Sequence, residues 1–193
     1  TLVTDIYQGS QSSSPSELTV VGNTLYFRAQ EAASGVELWR VTSPISPAEL
    51  VADIYGGTGS GNPTHMVPFN GALYFSAQNV SNGTELWKSS ETTGTGLVKD
   101  IQSGSGSADP KYLTVVGSTL YFSAYENSNG YELWQSDGTS VGTTVVANIA
   151  PGAASSSPYE LTAVGNDLYF TADDDSNGRE LWVSTAAGST HLV

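Results

Sequence analysis

Two tripeptides recur along this chain at an almost constant spacing. Leu-Tyr-Phe stands at Leu25–Phe27, Leu73–Phe75, Leu120–Phe122 and Leu168–Phe170, and Glu-Leu-Trp at Glu37–Trp39, Glu85–Trp87, Glu132–Trp134 and Glu180–Trp182. Both series step by 48, 47 and 48 residues. A third segment, Leu2-Val3-Thr4-Asp5-Ile6, returns as Leu50–Ile54 and Leu97–Ile101, and more loosely as Val145–Ile149. Self-similarity at a fixed period marks a chain that stacks one supersecondary unit, since such a unit cannot bury its apolar face alone. The sequence therefore reads as a single repeat domain, 1–193, with units at approximately 2–49, 50–96, 97–144 and 145–191.

The texture within a unit is β. Glu17–Val21 is a short apolar strand ended by the turn signal Gly22-Asn23, and Thr24–Ala29 is an aromatic-rich second strand. A turn over Glu31–Gly35 follows, which later copies write as Asn82-Gly83, Asn129-Gly130 and Asn177-Gly178. Asn-Gly suits a tight hairpin because both residues tolerate positive φ. Val36–Val41 is a third strand, and Leu50–Ile54, after a Ser/Pro stretch, is a fourth. No segment holds a helical 3.6-residue period for more than a turn. Four short antiparallel strands in each such period is the size of a β-propeller blade. The expected fold is an all-β propeller of four-stranded antiparallel blades, four per chain, forming a closed four-bladed ring or half of an eight-bladed dimer. The chain opens on a fourth-strand sequence and closes on His191-Leu192-Val193, the start of another. That overlap predicts an N-terminal strand, 1–7, completing the last blade and removing an exposed sheet edge.

All four tryptophans fall in the Glu-Leu-Trp segments. Trp39, Trp87, Trp134 and Trp182 are expected to pack blade against blade; the alternative is an exposed stacking platform for sugars. Each repeated glutamate (Glu37, Glu85, Glu132, Glu180) shares a strand face with its tryptophan. A carboxylate beside a buried indole needs donors, so it reads as a structural bracket accepting backbone N–H groups, with a repeated ligand-binding carboxylate as the alternative. The same pair of readings applies to Asp5, Asp53 and Asp100, whose fourth copy is Asn148. Asn replaces Asp as an acceptor but not as a charge, which favours the bracket.

Composition narrows the function. The chain has no cysteine, which excludes a disulfide framework, Cys-ligated zinc and a thiol nucleophile. Six basic against nineteen acidic residues give a net charge of -13, unsuited to nucleic acid or to anionic membrane surfaces. No apolar run approaches the ~20 residues of a membrane span. Thr1 in place of Met predicts a processed or trimmed N-terminus.

The repeat resembles the bacterial ELWxxDGT family of secreted or surface proteins, over essentially the whole chain. The fullest copy is Glu132-Leu133-Trp134-Gln135-Ser136-Asp137-Gly138-Thr139; the other three keep Glu-Leu-Trp and lose the Asp-Gly-Thr turn. The resemblance implies a propeller-like, non-catalytic, extracellular or cell-surface module.

Asp173-Asp174-Asp175-Ser176-Asn177-Gly178 reads as the first half of a calcium loop, with Asp173, Asp175 and Asn177 as ligands. The carboxylate that would close it is missing, because Ser184 stands there. A solvated acidic hairpin is the competing reading; no cofactor other than such a calcium ion is expected. The two histidines, His65 and His191, lie in different copies without a matching partner, and no nucleophile elbow is present. The chain is expected not to be an enzyme.

Function is expected on loops held by a rigid scaffold. The loops joining fourth to first strands end in Pro15, Pro63, Pro110 and Pro158, and they emerge on the same side as the hairpins between second and third strands. With Tyr7, Tyr55, Tyr125, Glu31, Glu126 and Asp109 they form a hydroxyl-rich, acidic, partly aromatic face suited to glycans or cations. The sequence thus predicts a structural, adhesion or assembly module able to self-associate or to meet a glycan or surface protein. The alternative is a lectin-like propeller with one shallow site per blade, calcium-assisted in one version. A glycan-active enzyme is a distant third.

Overall fold

The computed structural model describes residues 2–193; Thr1, where the expected first strand begins, lies outside them. Among the described residues sixteen strands form four sheets. The first contains β1 (Ser16–Val21), β2 (Thr24–Glu31), β3 (Gly35–Val41) and β4 (Glu49–Ala52). The second contains β5 (Thr64–Phe69), β6 (Ala72–Asn79), β7 (Gly83–Ser90) and β8 (Gly94–Lys99). The third contains β9 (Lys111–Val116), β10 (Thr119–Glu126), β11 (Gly130–Ser136) and β12 (Thr144–Ala147). The fourth contains β13 (Tyr159–Val164), β14 (Asp167–Asp173), β15 (Arg179–Ser184) and β16 (Thr190–Leu192). Each sheet pairs its strands antiparallel in chain order, as a propeller blade does.

Register explains why the repeat looks as it does. Phe27 pairs with Trp39, Phe75 with Trp87, Phe122 with Trp134 and Phe170 with Trp182, so one Phe–Trp rung recurs in every blade. The first strands lie innermost and stack β1 on β5, β5 on β9 and β9 on β13. Between neighbouring blades the core repeats one recipe. Tyr26, Leu38 and Ile54 of the first blade and its following loop meet Leu73, Phe75, Ala77 and Trp87 of the second. Tyr74, Leu86, Val98 and Ile101 meet Leu120, Phe122, Ala124 and Trp134. Tyr121, Leu133 and Ile149 meet Leu168, Phe170, Ala172 and Trp182. Trp87, Trp134 and Trp182 are therefore inter-blade core, Trp182 the least covered, whereas Trp39 packs with Phe27 and Ala29 beside Ile6 of the N-terminal segment.

The glutamates are brackets in three blades. Glu37 accepts hydrogen bonds from the backbone N–H groups of Ile54 (3.0 Å) and Gly61 (2.6 Å). Glu85 accepts from Ile101, Gln102 and Ala108 at 2.9, 3.0 and 3.2 Å. Glu132 accepts from the N–H groups of Ile149, Ala150 and Ser156 and from the Ser156 hydroxyl at 2.6 Å. Each carboxylate thus fastens its blade to the loop leading into the next. The strand-four aspartates brace the same loops: Asp53 accepts from Gly56 and Gly57, Asp100 from Gly104 and Asp5 from Gly9. Asn148 approaches Gly152 through its amide.

Two expectations need correction. Sheet boundaries fall inside the loops after the fourth strands, because β4, β8 and β12 pair with the third strand before them. The part of the 1–7 segment that is described, residues 2–7, does not complete the last blade, whose fourth strand is β16 from its own unit. Residues 2–7 form no strand. They lie instead on the first blade, where Thr4 Oγ1 accepts from the Ala48 N–H and Ile6 packs beside Phe27 and Trp39. That is where the fourth strand of a preceding blade would lie.

Candidate functional site

Every first strand begins with the same backbone device. The residue before each proline is left-handed (Ser14, Asn62, Asp109 and Ser157, φ 45° to 47°), and so is the second residue after it: Glu17, His65, Tyr112 and Glu160, φ 54° to 58°. The second set sits where strand register slips, in a bulge. A non-glycine residue there costs about 1–3 kcal/mol unless its surroundings compensate. In three blades compensation comes from a threonine two residues on, replaced by Val67 in the second: Thr114 Oγ1 donates to Tyr112 O at 2.9 Å and approaches Leu161 O of the next blade at 3.2 Å. The bulge thus serves stacking, and it turns Glu17, His65, Tyr112 and Glu160 off the ladder at the loop-rich end.

Between the third and fourth blades these positions become an aromatic, cationic cleft. Lys111, Tyr112, Ser123, Tyr131, Ser157, Pro158, Tyr159 and Arg179 enclose about 320 Å³. The Tyr112 and Tyr159 rings meet edge to face at 4.8 Å, and His65 continues the row 6.0 Å from Tyr112. Tyr112 and Tyr159 are 36% and 45% exposed, so their rings can accept a ligand. Lys111 Nζ lies 5.5 Å from the centre of the Tyr131 ring, a cation–π distance. Tyr131 donates its hydroxyl to Asp109 Oδ2 at 3.2 Å, and burial, then the Asp109 charge, raises its pKa, so it remains a donor at neutral pH. Arg179 Nη1 donates to Ser157 O and lies near Thr171, which fixes the guanidinium at the rim. Among the described residues neither Lys111 nor Arg179 forms an ion pair. His65 is pushed below its ordinary pKa by burial and is neutral at pH 7.

The structure brings together only part of the predicted set. The Tyr125 ring meets that of Tyr131 at a tilt, 5.3 Å between centres, and Asp109 bonds Tyr131, so both stand behind the cleft. Glu126 accepts from Asn129 Nδ2 and Glu31 from the Ser34 hydroxyl, each within its own hairpin. The Tyr55 ring covers Gly59 in its own loop so closely that no Cβ fits there. Tyr7 is half-buried in the loop ahead of the first blade. In the Asp173 hairpin the organising carboxylate is Asp174. It accepts from the N–H groups of Ser176 and Asn177 and from Asn177 Nδ2, and these bonds hold it below its ordinary pKa. Asp173 accepts from the Asp175 N–H. Among the described residues no three acidic or histidine side chains cluster as metal ligands do.

Sequence reading missed Lys111, Tyr112, Tyr131, Tyr159 and Arg179. The signal available was variation between copies: Lys111 matches Ser16, Thr64 and Tyr159, and Tyr131 matches Val36, Thr84 and Arg179. The cleft accordingly belongs to one pair of blades and is not repeated.

No family model matches the sequence, and no curated protein is similar to it. Solved structures are similar to it to different degrees. One from a study of two prolyl endopeptidases superposes with a TM-score of 0.60 at 13% identity, over 91% of this chain and 25% of that one. A Bacteroides ovatus xyloglucan-locus GH43B protein gives 0.43 at 17% identity, over 95% of this chain and 41% of that one. An endo-1,4-beta-xylanase from Bacteroides thetaiotaomicron gives 0.39 at 12%, over 99% and 79%. The chain thus spans a quarter of the first of these proteins and under half of the second. At 13% identity the likeness to the first bears on fold alone.

Proposed function

We propose that this chain is a non-catalytic propeller module of a secreted or cell-surface protein, and that it recognises a glycan in the cleft between its third and fourth blades. The carrying observation is the convergence of Tyr112, Tyr131 and Tyr159 with Lys111 and Arg179. Tyrosine faces and edges suit the C–H surface of a sugar ring, while the two cations supply donors. In a chain of net charge -13, two of its six basic residues gathered without ion-pair partners among the described residues favour a saccharide bearing a carboxylate. No Asp or Glu lines the cleft itself, whereas glycoside hydrolysis uses a pair of carboxyl groups flanking the bond. The resemblance to ELWxxDGT repeats supports the surface setting.

A glycan array with and without calcium tests this reading. The expected result is binding to acidic glycans independent of calcium, weakened about tenfold or more, ~1.4 kcal/mol, by Arg179→Gln and by Tyr159→Ala. Absence of binding to any glycan under both conditions would sink it. Cleavage of a bound glycan would overturn the non-catalytic part.

A further inference from the structure

We infer that the two end faces of the blade stack are halves of one interface, and that a second copy of this chain docks its first blade onto the fourth blade of the first, head to tail. The three internal interfaces supply the template. In each, Tyr and Leu of one blade close over Leu, Phe, Ala and Trp of the next, and a buried Glu accepts N–H groups from the intervening loop. The fourth blade carries the first half of this interface without the second. Leu181 is 46% exposed, where Leu38, Leu86 and Leu133 are 0%. Glu180 is exposed and, among the described residues, accepts none of the bonds that Glu37, Glu85 and Glu132 accept.

The first blade carries the other half. Its Phe27, packed with Ala29 and Trp39, lines an apolar cleft of about 580 Å³ bordered by Leu2, Ile6, Leu18 and Leu25, open where a preceding blade would place Tyr and Leu. The loop ahead of it is already in the conformation its counterparts adopt. Ser14 has φ 45° against 46° to 47° in the other three copies, Gln30 N–H donates to Ser13 O as Gln78 does to Gly61 O, and Gly9 N–H caps Asp5. By repeat position, Ile6, Tyr7 and Ser13 present the N–H groups that Ile101, Gln102 and Ala108 give to Glu85. Those are the donors Glu180 lacks. The inner-strand link is unfinished in the same way. Thr114 Oγ1 reaches Leu161 O across an interface, whereas Thr162 Oγ1 reaches only Glu160 O in its own strand, and Leu18 stands at the matching position on the first blade. One rearrangement is required: Leu2-Val3 and Leu192-Val193 occupy the same repeat position, so one pair must yield at the junction. Because the two faces differ, the contact is heterologous and can close a ring or extend an array.

Sedimentation of the wild-type chain over a concentration series, with Leu181→Arg and Leu18→Arg, tests this. Both leucines are exposed in the single chain, so each variant should keep the wild-type near-ultraviolet spectrum of the tryptophans. The expected wild type self-associates, each variant alone is monomeric, and an equimolar mixture of the two forms a heterodimer through the one intact junction. A wild type that stays monomeric to millimolar concentration overturns the inference. So does an oligomer that both variants leave intact, or folded variants that fail to complement.

Discussion

Glu85 shows what one residue does in this fold. It is fully buried and faces three backbone N–H donors from the loop that leads to the next blade. Burial pushes its pKa from 4.5 up to about 7 against the lowering effect of those bonds, and Glu37 and Glu132 are raised for the same first cause. Between 4.5 and about 7 the folded chain therefore holds more protons than the unfolded one. The linkage sign follows: the stabilising share of Glu85 is fully present below its unfolded pKa and is lost as pH rises through the window. The slope is at most ~1.4 kcal/mol per pH unit for one group. Urea midpoints from pH ~4 to ~8 should fall across this window. Glu85→Gln should flatten that fall, and it should also cost about 1–3 kcal/mol in its own right, because its amide NH₂ opposes N–H donors. An unchanged pH slope in the variant would show that Glu85 is not the group that titrates.

At the scale of elements, the hairpins between second and third strands carry an internal control. Gly35, Gly83 and Gly130 have φ of 63° to 70°, and a Cβ on any of them would strike a carbonyl oxygen of the next loop: Gly59, Gly106 or Ala154. Gly178 has φ 75° but nothing within 4 Å. Gly178→Ala should cost only the left-handed penalty, about 1 kcal/mol, whereas Gly83→Ala adds a backbone collision and should cost at least ~2 kcal/mol more. Equal losses in urea denaturation would contradict the packing described. The strands were legible in sequence because Leu-Tyr-Phe and Glu-Leu-Trp mark the buried ladder directly, and the bracket role of Glu37, Glu85 and Glu132 followed from a carboxylate placed beside an indole, whereas Glu180 carries the same pattern and is exposed. Two features were not legible. Residues 1–7 carry a strand-four pattern, but a pattern does not say which blade it serves, and tertiary contact with Ala48 and Phe27 decides that. The cleft was hidden because reading by repetition weights what the copies share, while Lys111, Tyr131 and Arg179 stand where they differ.

At the scale of the whole molecule, stability passes between nearest neighbours, as in other repeat arrays. The second and third blades are each covered on both sides by a blade. The first is covered in part by residues 2–6, and the fourth leaves Leu181 and Glu180 in solvent. Opening should therefore begin at the fourth blade, where fewest apolar contacts are lost. In a dilute sample, amide exchange in β15 and β16 should be faster than in β7 and β11. If a second copy supplies the missing cover, protection of β15 should rise with protein concentration while that of β7 and β11 changes little. Charge sets a further condition. Two bodies of net charge -13 repel, and the docking faces are mainly apolar, so salt that shortens the screening length to about 8 Å or less should favour the associated form. Protection of β15 should then increase with ionic strength at fixed protein concentration. Protection that ignores both concentration and salt would mean that the fourth blade is stable without a partner, and that its exposed face serves something other than a second copy of this chain.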